Sequence, residues 1–173
     1  AQDLYRIRGE AIAAMVRDAV KAPTEADVEV SEAIDFCRYY AEGLDRDGMN
    51  DGVEMSPLGT ICVMSPWNFP FAIPTGGVAA ALMAGNAVVF KPSELAVYTA
   101  WQIVQAFWRA GVPKNVLQFV PMPRNEISRK FLMDPRLNGV IMTGSFRTGK
   151  MLRELRPDLH VLAETSGKDA MII

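Results

Sequence analysis

From residue 57 onward, short apolar and β-branched runs alternate with amphipathic stretches, and this alternation limits the possible folds more than any other property of the chain. The runs at 60–64, 87–90, 116–120, 139–142 and 161–163 are too short for helices and carry the Val, Ile and Phe content of strands. Between them, helical spacing predicts helices over 75–83, 95–110, 127–132 and 146–155. Gly85 stops the first of these, and Gly111 and Pro113 stop the second. Short strands separated by helices pair in parallel, with helices covering both faces. The expected fold is α/β, an open, doubly wound, Rossmann-like parallel sheet.

Upstream, residues 4–21 and 25–42 repeat apolar positions at helical intervals, among them Ile12, Met15 and Val16, then Val30, Ile34 and Cys37. Pro23 and Thr24 separate the two, with Thr24, Glu25 and Asp27 suited to a helix start. Residues 43–56, rich in Gly, Asp and Asn, read as a connecting loop. The expected organisation is N-terminal helices and loop over 1–56, then a nucleotide-binding α/β domain over 57–173. Residue 1 is not Met, and Ala170-Met171-Ile172-Ile173 reads as a strand entering a core, so the expectation is a segment of a longer chain.

Composition narrows the function classes. The net charge of -2 and scattered Lys and Arg residues argue against nucleic acid as a partner. The longest apolar stretch, residues 77–90, is interrupted by Gly85 and Asn86 and is too short to span a bilayer. The chain opens directly into an amphipathic helix, not a signal peptide, and the expected compartment is the cytoplasm. Two cysteines, Cys37 and Cys62, read as small buried hydrophobes, and one histidine, His160, leaves no ligand set of the usual metal spacing.

In open α/β sheets, ligands bind just beyond the carboxyl ends of the strands. Four such positions carry mainly polar or small residues: Ser65-Pro66-Trp67-Asn68, Lys91-Pro92-Ser93-Glu94, Thr143-Gly144-Ser145 and Glu164-Thr165-Ser166-Gly167-Lys168. Thr143-Gly144-Ser145 opens a helix, where free N–H groups could bind phosphate; capping by Ser145 is the default reading. The dinucleotide fingerprint GxGxxG is absent, and Gly76-Gly77, inside a helical stretch, reads as close helix packing. Lys91 alone would be a surface residue. With Glu94 at a helix start it could hold a ribose diol, and the carboxylate would repel a 2′-phosphate, favouring NAD over NADP. Asn68 is either a turn residue or an amide that stabilises charge on a carbonyl oxygen. Glu164 is either a loop acid or a general base.

Together, Pro66-Trp67-Asn68-Phe69-Pro70, the run from Gly85 through Asn86-Ala87-Val88-Val89-Phe90-Lys91-Pro92-Ser93 to Glu94, Thr143-Gly144-Ser145 and Glu164-Thr165-Ser166-Gly167-Lys168 resemble the aldehyde dehydrogenase superfamily in content and in order. The resemblance implies that Asn68 is the oxyanion amide and Glu164 the general base. It further implies an NAD site formed by Ser65, Pro66, Trp67, Lys91, Ser93, Glu94, Thr143, Gly144, Ser145 and Thr165. Lys91 and Glu94 would meet the adenosine ribose and Ser145 the pyrophosphate. Members of the family attack the aldehyde with a cysteine thiolate, pass hydride to the nicotinamide and hydrolyse the thioester with water activated by the glutamate. Their cysteine lies well beyond the position of Glu164. Cys37 and Cys62 both precede Lys91 and do not match it, so the chain alone is expected to be inactive.

One departure is Thr165-Ser166-Gly167, where most members have Leu-Gly-Gly after the glutamate. Ala163 to Lys168, Arg156-Pro157-Asp158-Leu159 and Ala33-Ile34-Asp35-Phe36-Cys37-Arg38-Tyr39-Tyr40 are most similar to the 1-pyrroline-5-carboxylate dehydrogenases, which include the dehydrogenase half of bifunctional proline-utilisation enzymes. That likeness implies oxidation of L-glutamate γ-semialdehyde to glutamate in proline catabolism, by a homo-oligomeric parent acting on a small aldehyde. Another semialdehyde or aliphatic aldehyde dehydrogenase, or a nucleotide-binding module without catalysis, stays open at this point.

Overall fold

Five strands, β1 (Thr60–Met64), β2 (Ala87–Lys91), β3 (Leu117–Phe119), β4 (Leu137–Gly144) and β5 (His160–Thr165), pair wholly in parallel in the order β3-β2-β1-β4-β5. The computed structural model describes residues 1–46 and 56–167. The helices are α1 (Gln2–Arg6), α2 (Arg8–Ala19), α3 (Pro23–Arg46), α4 (Ala72–Met83), α5 (Val97–Arg109), α6 (Glu126–Leu132) and α7 (Phe146–Leu155). This is the doubly wound α/β fold expected from the alternation of short runs.

Alternate side chains of each strand point to opposite faces, and the two faces have separate cores. Ile61, Val63, Val88, Phe90 and Leu117 face one side, where they join Met15, Val30, Phe71, Val78 and Ile103 from the helices. Cys62, Val140 and Met142 face the other, against Leu132, Leu152 and Leu159. Burying each large apolar side chain of this kind contributes about 1.5–3 kcal/mol. Helices α1 to α3 thus share a core with the sheet.

Helix α4 is wedged between α3 and the sheet, and its two glycines make this possible. A Cβ on Gly76 would lie 3.0 Å from Phe36 Cδ2, and one on Gly77 would lie 3.1 Å from Val63 Cγ1 and 3.4 Å from Ile141 Cγ2. Close packing is therefore what the Gly76-Gly77 pair provides. After α4 the chain reverses at Gly85, whose φ of +80° suits a residue without Cβ.

Several boundaries differ from those expected. The first helical stretch is two helices that break at Ile7. Pro23 begins α3 instead of separating it from α2, since a first-turn residue needs no amide hydrogen. For the same reason α4 starts at Ala72, with Pro74 inside its first turn. Helix α3 runs on to Arg46 because Gly43 costs a helix only about 1 kcal/mol and does not stop it. The rest of the expected loop, residues 47–55, and the expected final strand, 170–173, lie outside the described residues. Residues 94–96 form a 3₁₀ turn before α5, and β3 is shorter than expected while β4 and β5 are longer.

Candidate active site

Parallel pairing places every strand exit at one edge of the sheet. Met64 stands level with Lys91 on one side and Met142 on the other, and Thr143 stands level with Glu164. The strand order reverses between β1 and β4, and the crevice opens there, as the general rule for such sheets requires. A cleft of about 950 Å³ occupies this edge. Ser65, Pro66, Trp67, Asn68, Lys91, Ser93, Glu94, Thr143, Gly144, Ser145, Glu164 and Thr165 all line it, so the structure brings together every site residue named from the sequence.

At the β1 exit, Ser65 and Pro66 are half-buried, while Trp67 and Asn68 are exposed on a segment without regular structure that leads into α4. At the β2 exit, Lys91 is buried at 7% exposure. Burial pushes its ammonium below the ordinary lysine value. The nearby Cys62 and Glu94 oppose this shift, and Arg124 adds to it. Ser93 accepts from Leu95 N–H at the start of the 3₁₀ turn. The Glu94 carboxylate accepts from the main-chain N–H of Arg124 at 2.8 Å, which ties the β2 exit to the β3 exit.

At the β4 exit, Ser145 caps α7. Its Oγ accepts from Thr148 N–H at 3.3 Å and lies 3.0 Å from Thr148 Oγ1, so the capping reading of this serine is observed. At the β5 exit, Glu164 is exposed. Thr165 stands opposite Gly144, and Ser166 N–H donates to the Gly144 carbonyl at 3.3 Å. The Ser166 hydroxyl accepts from Phe146 N–H at 3.4 Å, so the β5 exit is stitched to the start of α7.

The sequence reasoning missed the β3 exit. Arg124, Asn125, Ser128 and Arg129 line the cleft from there, and Arg147 lines it from α7. The strand-end rule that selects the other four exits also selects this one. With Lys91 these arginines make four cations, against the three carboxylates of Glu94, Glu126 and Glu164. Around one hollow stand an ammonium and a helix-start hydroxyl that can donate to phosphate or hydroxyl oxygens, and a carboxylate that can accept from a sugar diol, a set that could hold an adenosine pyrophosphate. Cys62 and Cys37 do not belong to this set. Cys62 is fully buried on β1, where burial pushes its thiol up to about 12 against the opposing charge of Lys91. Cys37 lies on α3, and burial raises its thiol too.

The chain resembles known proteins over more than nine-tenths of its length. It is 40% identical over 171 residues to the bifunctional protein PutA of Salmonella typhimurium, a match covering 94% of this chain and 13% of that protein. It is 34% identical over 188 residues to the 1-pyrroline-5-carboxylate dehydrogenase of Anoxybacillus flavithermus, covering 97% of this chain and 36% of that one. The chain therefore spans only a fraction of the length of the curated relatives it matches. Among solved structures, Proline Utilization A from Corynebacterium freiburgense superposes with a TM-score of 0.91 at 36% identity, over 96% of this chain and 17% of that chain. The model of the aldehyde dehydrogenase family matches residues 1–173, and with strand order, cleft and relatives in agreement, this chain belongs to the aldehyde dehydrogenase family.

Proposed function

We propose that this chain supplies the cofactor cleft and two reacting groups of an NAD-dependent aldehyde dehydrogenase that oxidises L-glutamate γ-semialdehyde to glutamate in proline catabolism. The observation that carries the reading is the convergence of Asn68, Lys91, Ser145 and Glu164 from four strand exits on one cleft. Lys91 and Glu94 hold the adenosine ribose, and Ser145 with the start of α7 holds the pyrophosphate. A dinucleotide held by Lys91, Glu94 and Ser145 would supply the acceptor for the hydride leaving the substrate carbon. The Asn68 amide donates to the aldehyde oxygen and stabilises the charge that develops there as the nucleophile adds. Glu164 takes a proton from the water that releases the acid. The nucleophile is a thiolate from outside these 173 residues, because neither cysteine of the chain lines the cleft.

The substrate assignment rests on the relatives. PutA and 1-pyrroline-5-carboxylate dehydrogenase are the names of relatives that match more than nine-tenths of this chain at 40% and 34% identity. The NAD assignment rests on Glu94, whose fixed carboxylate would repel a 2′-phosphate. The test is steady-state kinetics of the full-length protein on glutamate γ-semialdehyde, succinic semialdehyde and simple aliphatic aldehydes, each with NAD and NADP. The reading expects the highest kcat/KM for glutamate γ-semialdehyde with NAD. A higher value for another aldehyde overturns the substrate, and dinucleotide binding without turnover of any aldehyde overturns the chemistry.

A further inference from the structure

A loop amide acts on a reacting oxygen only if something aims it, and the segment that carries Asn68 has no regular secondary structure. Two charged residues of the N-terminal region grip that segment. Lys21, between α2 and α3, donates from Nζ to the main-chain carbonyl of Asn68 at 2.8 Å. The same ammonium lies 4.0 Å from the centroid of the Phe69 ring, within cation–π range. It also pairs with Oε1 of Glu29 on α3. The other carboxylate oxygen of Glu29 accepts from the amides of Phe71 at 2.9 Å and Ala72 at 3.1 Å. The segment is therefore held by its carbonyl on one side of Phe69 and Pro70 and by its amides on the other.

The pair is almost fully withdrawn from water, with Lys21 at 9% and Glu29 at 1% side-chain exposure. Removing two charges from solvent commonly costs more than packing two apolar groups in their place. Glu29 gains part of that back as the cap of α4, which has no side-chain cap from its own N-cap residue. Capping needs only the carboxylate, however. It leaves unexplained why the ammonium reaches past Glu29 to the peptide of Asn68 and the ring beside it.

We infer that Lys21 and Glu29 are positioning residues that hold the loop so that the Asn68 amide meets the aldehyde oxygen. This rests on the oxyanion reading of Asn68 given above. Neither residue lines the cleft, and both act through the backbone on either side of Phe69.

The experiment is a mutant cycle in the full-length enzyme. It uses Lys21→Met with Glu29→Gln, Asn68→Ala, and the triple variant, each assayed with glutamate γ-semialdehyde at saturating NAD. Removing both charges together strands neither, and a glutamine carbonyl still accepts from Phe71 and Ala72. Asn68→Ala is expected to lower kcat about 100-fold or more. The charge-free pair is expected to lower kcat about 10- to 100-fold, with the NAD dissociation constant within about twofold. In the Asn68→Ala background the same pair is expected to change kcat by no more than about twofold, since there is no amide left to aim. Equal losses in both backgrounds, or no loss where Asn68 is present, overturn the inference while leaving Asn68 its role. Full activity of Asn68→Ala overturns that role and the inference with it. Lys21→Arg keeps a charge opposite Glu29 while replacing the single ammonium with a planar fork. It carries the same test, a lowered kcat that disappears in the Asn68→Ala background, in an enzyme whose buried pair stays neutralised.

Discussion

Lys91 is the most heavily desolvated cation of the cleft, and burial lowers the pH at which it gives up its proton. In the proposed site the ammonium form donates to the ribose hydroxyls and is favoured by the nearby pyrophosphate charge, so by linkage affinity is full well below the lysine's own titration and falls as pH rises through it. Because that titration lies under the ordinary 10.5, the loss begins at lower pH than for a surface lysine. Calorimetric titration of NAD between neutral and alkaline pH is expected to show this decline, and Lys91→Met to flatten it. Glu94 makes a separate prediction. Held by the Arg124 amide, it presents fixed negative charge beside a rim of arginines. Glu94→Gln removes only that charge, and the NADP-to-NAD ratio of kcat/KM is expected to rise about tenfold, equivalent to roughly 1.4 kcal/mol. Both residues were legible in the sequence because they follow an apolar run directly. Arg124 and Arg129 were not, because Pro121 and Pro123 make the β3 exit look like a plain connection and its polar residues are dispersed.

At the level of elements, the two glycines of α4 and the one in α2 should respond oppositely to added side chains. Gly77→Val drives two methyl groups toward Val63 and Ile141, and is expected to destabilise by about 1–3 kcal/mol in denaturant unfolding. A Cβ on Gly9 meets nothing within 4 Å, so Gly9→Ala is expected to stabilise by about 1 kcal/mol through helix propensity. Destabilisation by Gly9→Ala, or tolerance of Gly77→Val, would contradict the packing described. The existence of these elements was readable from periodicity alone, and α7 matches its expected bounds. The starts of α4 and α5 were not. Glu29 caps α4 from more than 40 residues away, and the Asp18 carboxylate accepts from Thr99 N–H of α5 at 2.8 Å across an even longer separation. A local window contains no trace of a cap supplied from another part of the chain.

For the whole molecule, the decisive prediction concerns the 173 residues by themselves. They hold an amide, a carboxylate and one shared cleft but direct no thiol into it, so NADH formation from NAD and any aldehyde is expected to stay at background in a spectrophotometric assay. Turnover by this chain would mean that a different group attacks the carbonyl. The interleaving of the first helices with the sheet has a practical corollary. Leu4, Met15 and Val30 fill the same core as Phe90 and Ile103, while Asp18 and Glu29 anchor the two helices that follow the β2 and β1 exits. An engineer transplanting this strand-exit cleft into another scaffold would have to move those opening helices with it, although none of their described side chains lines the hollow.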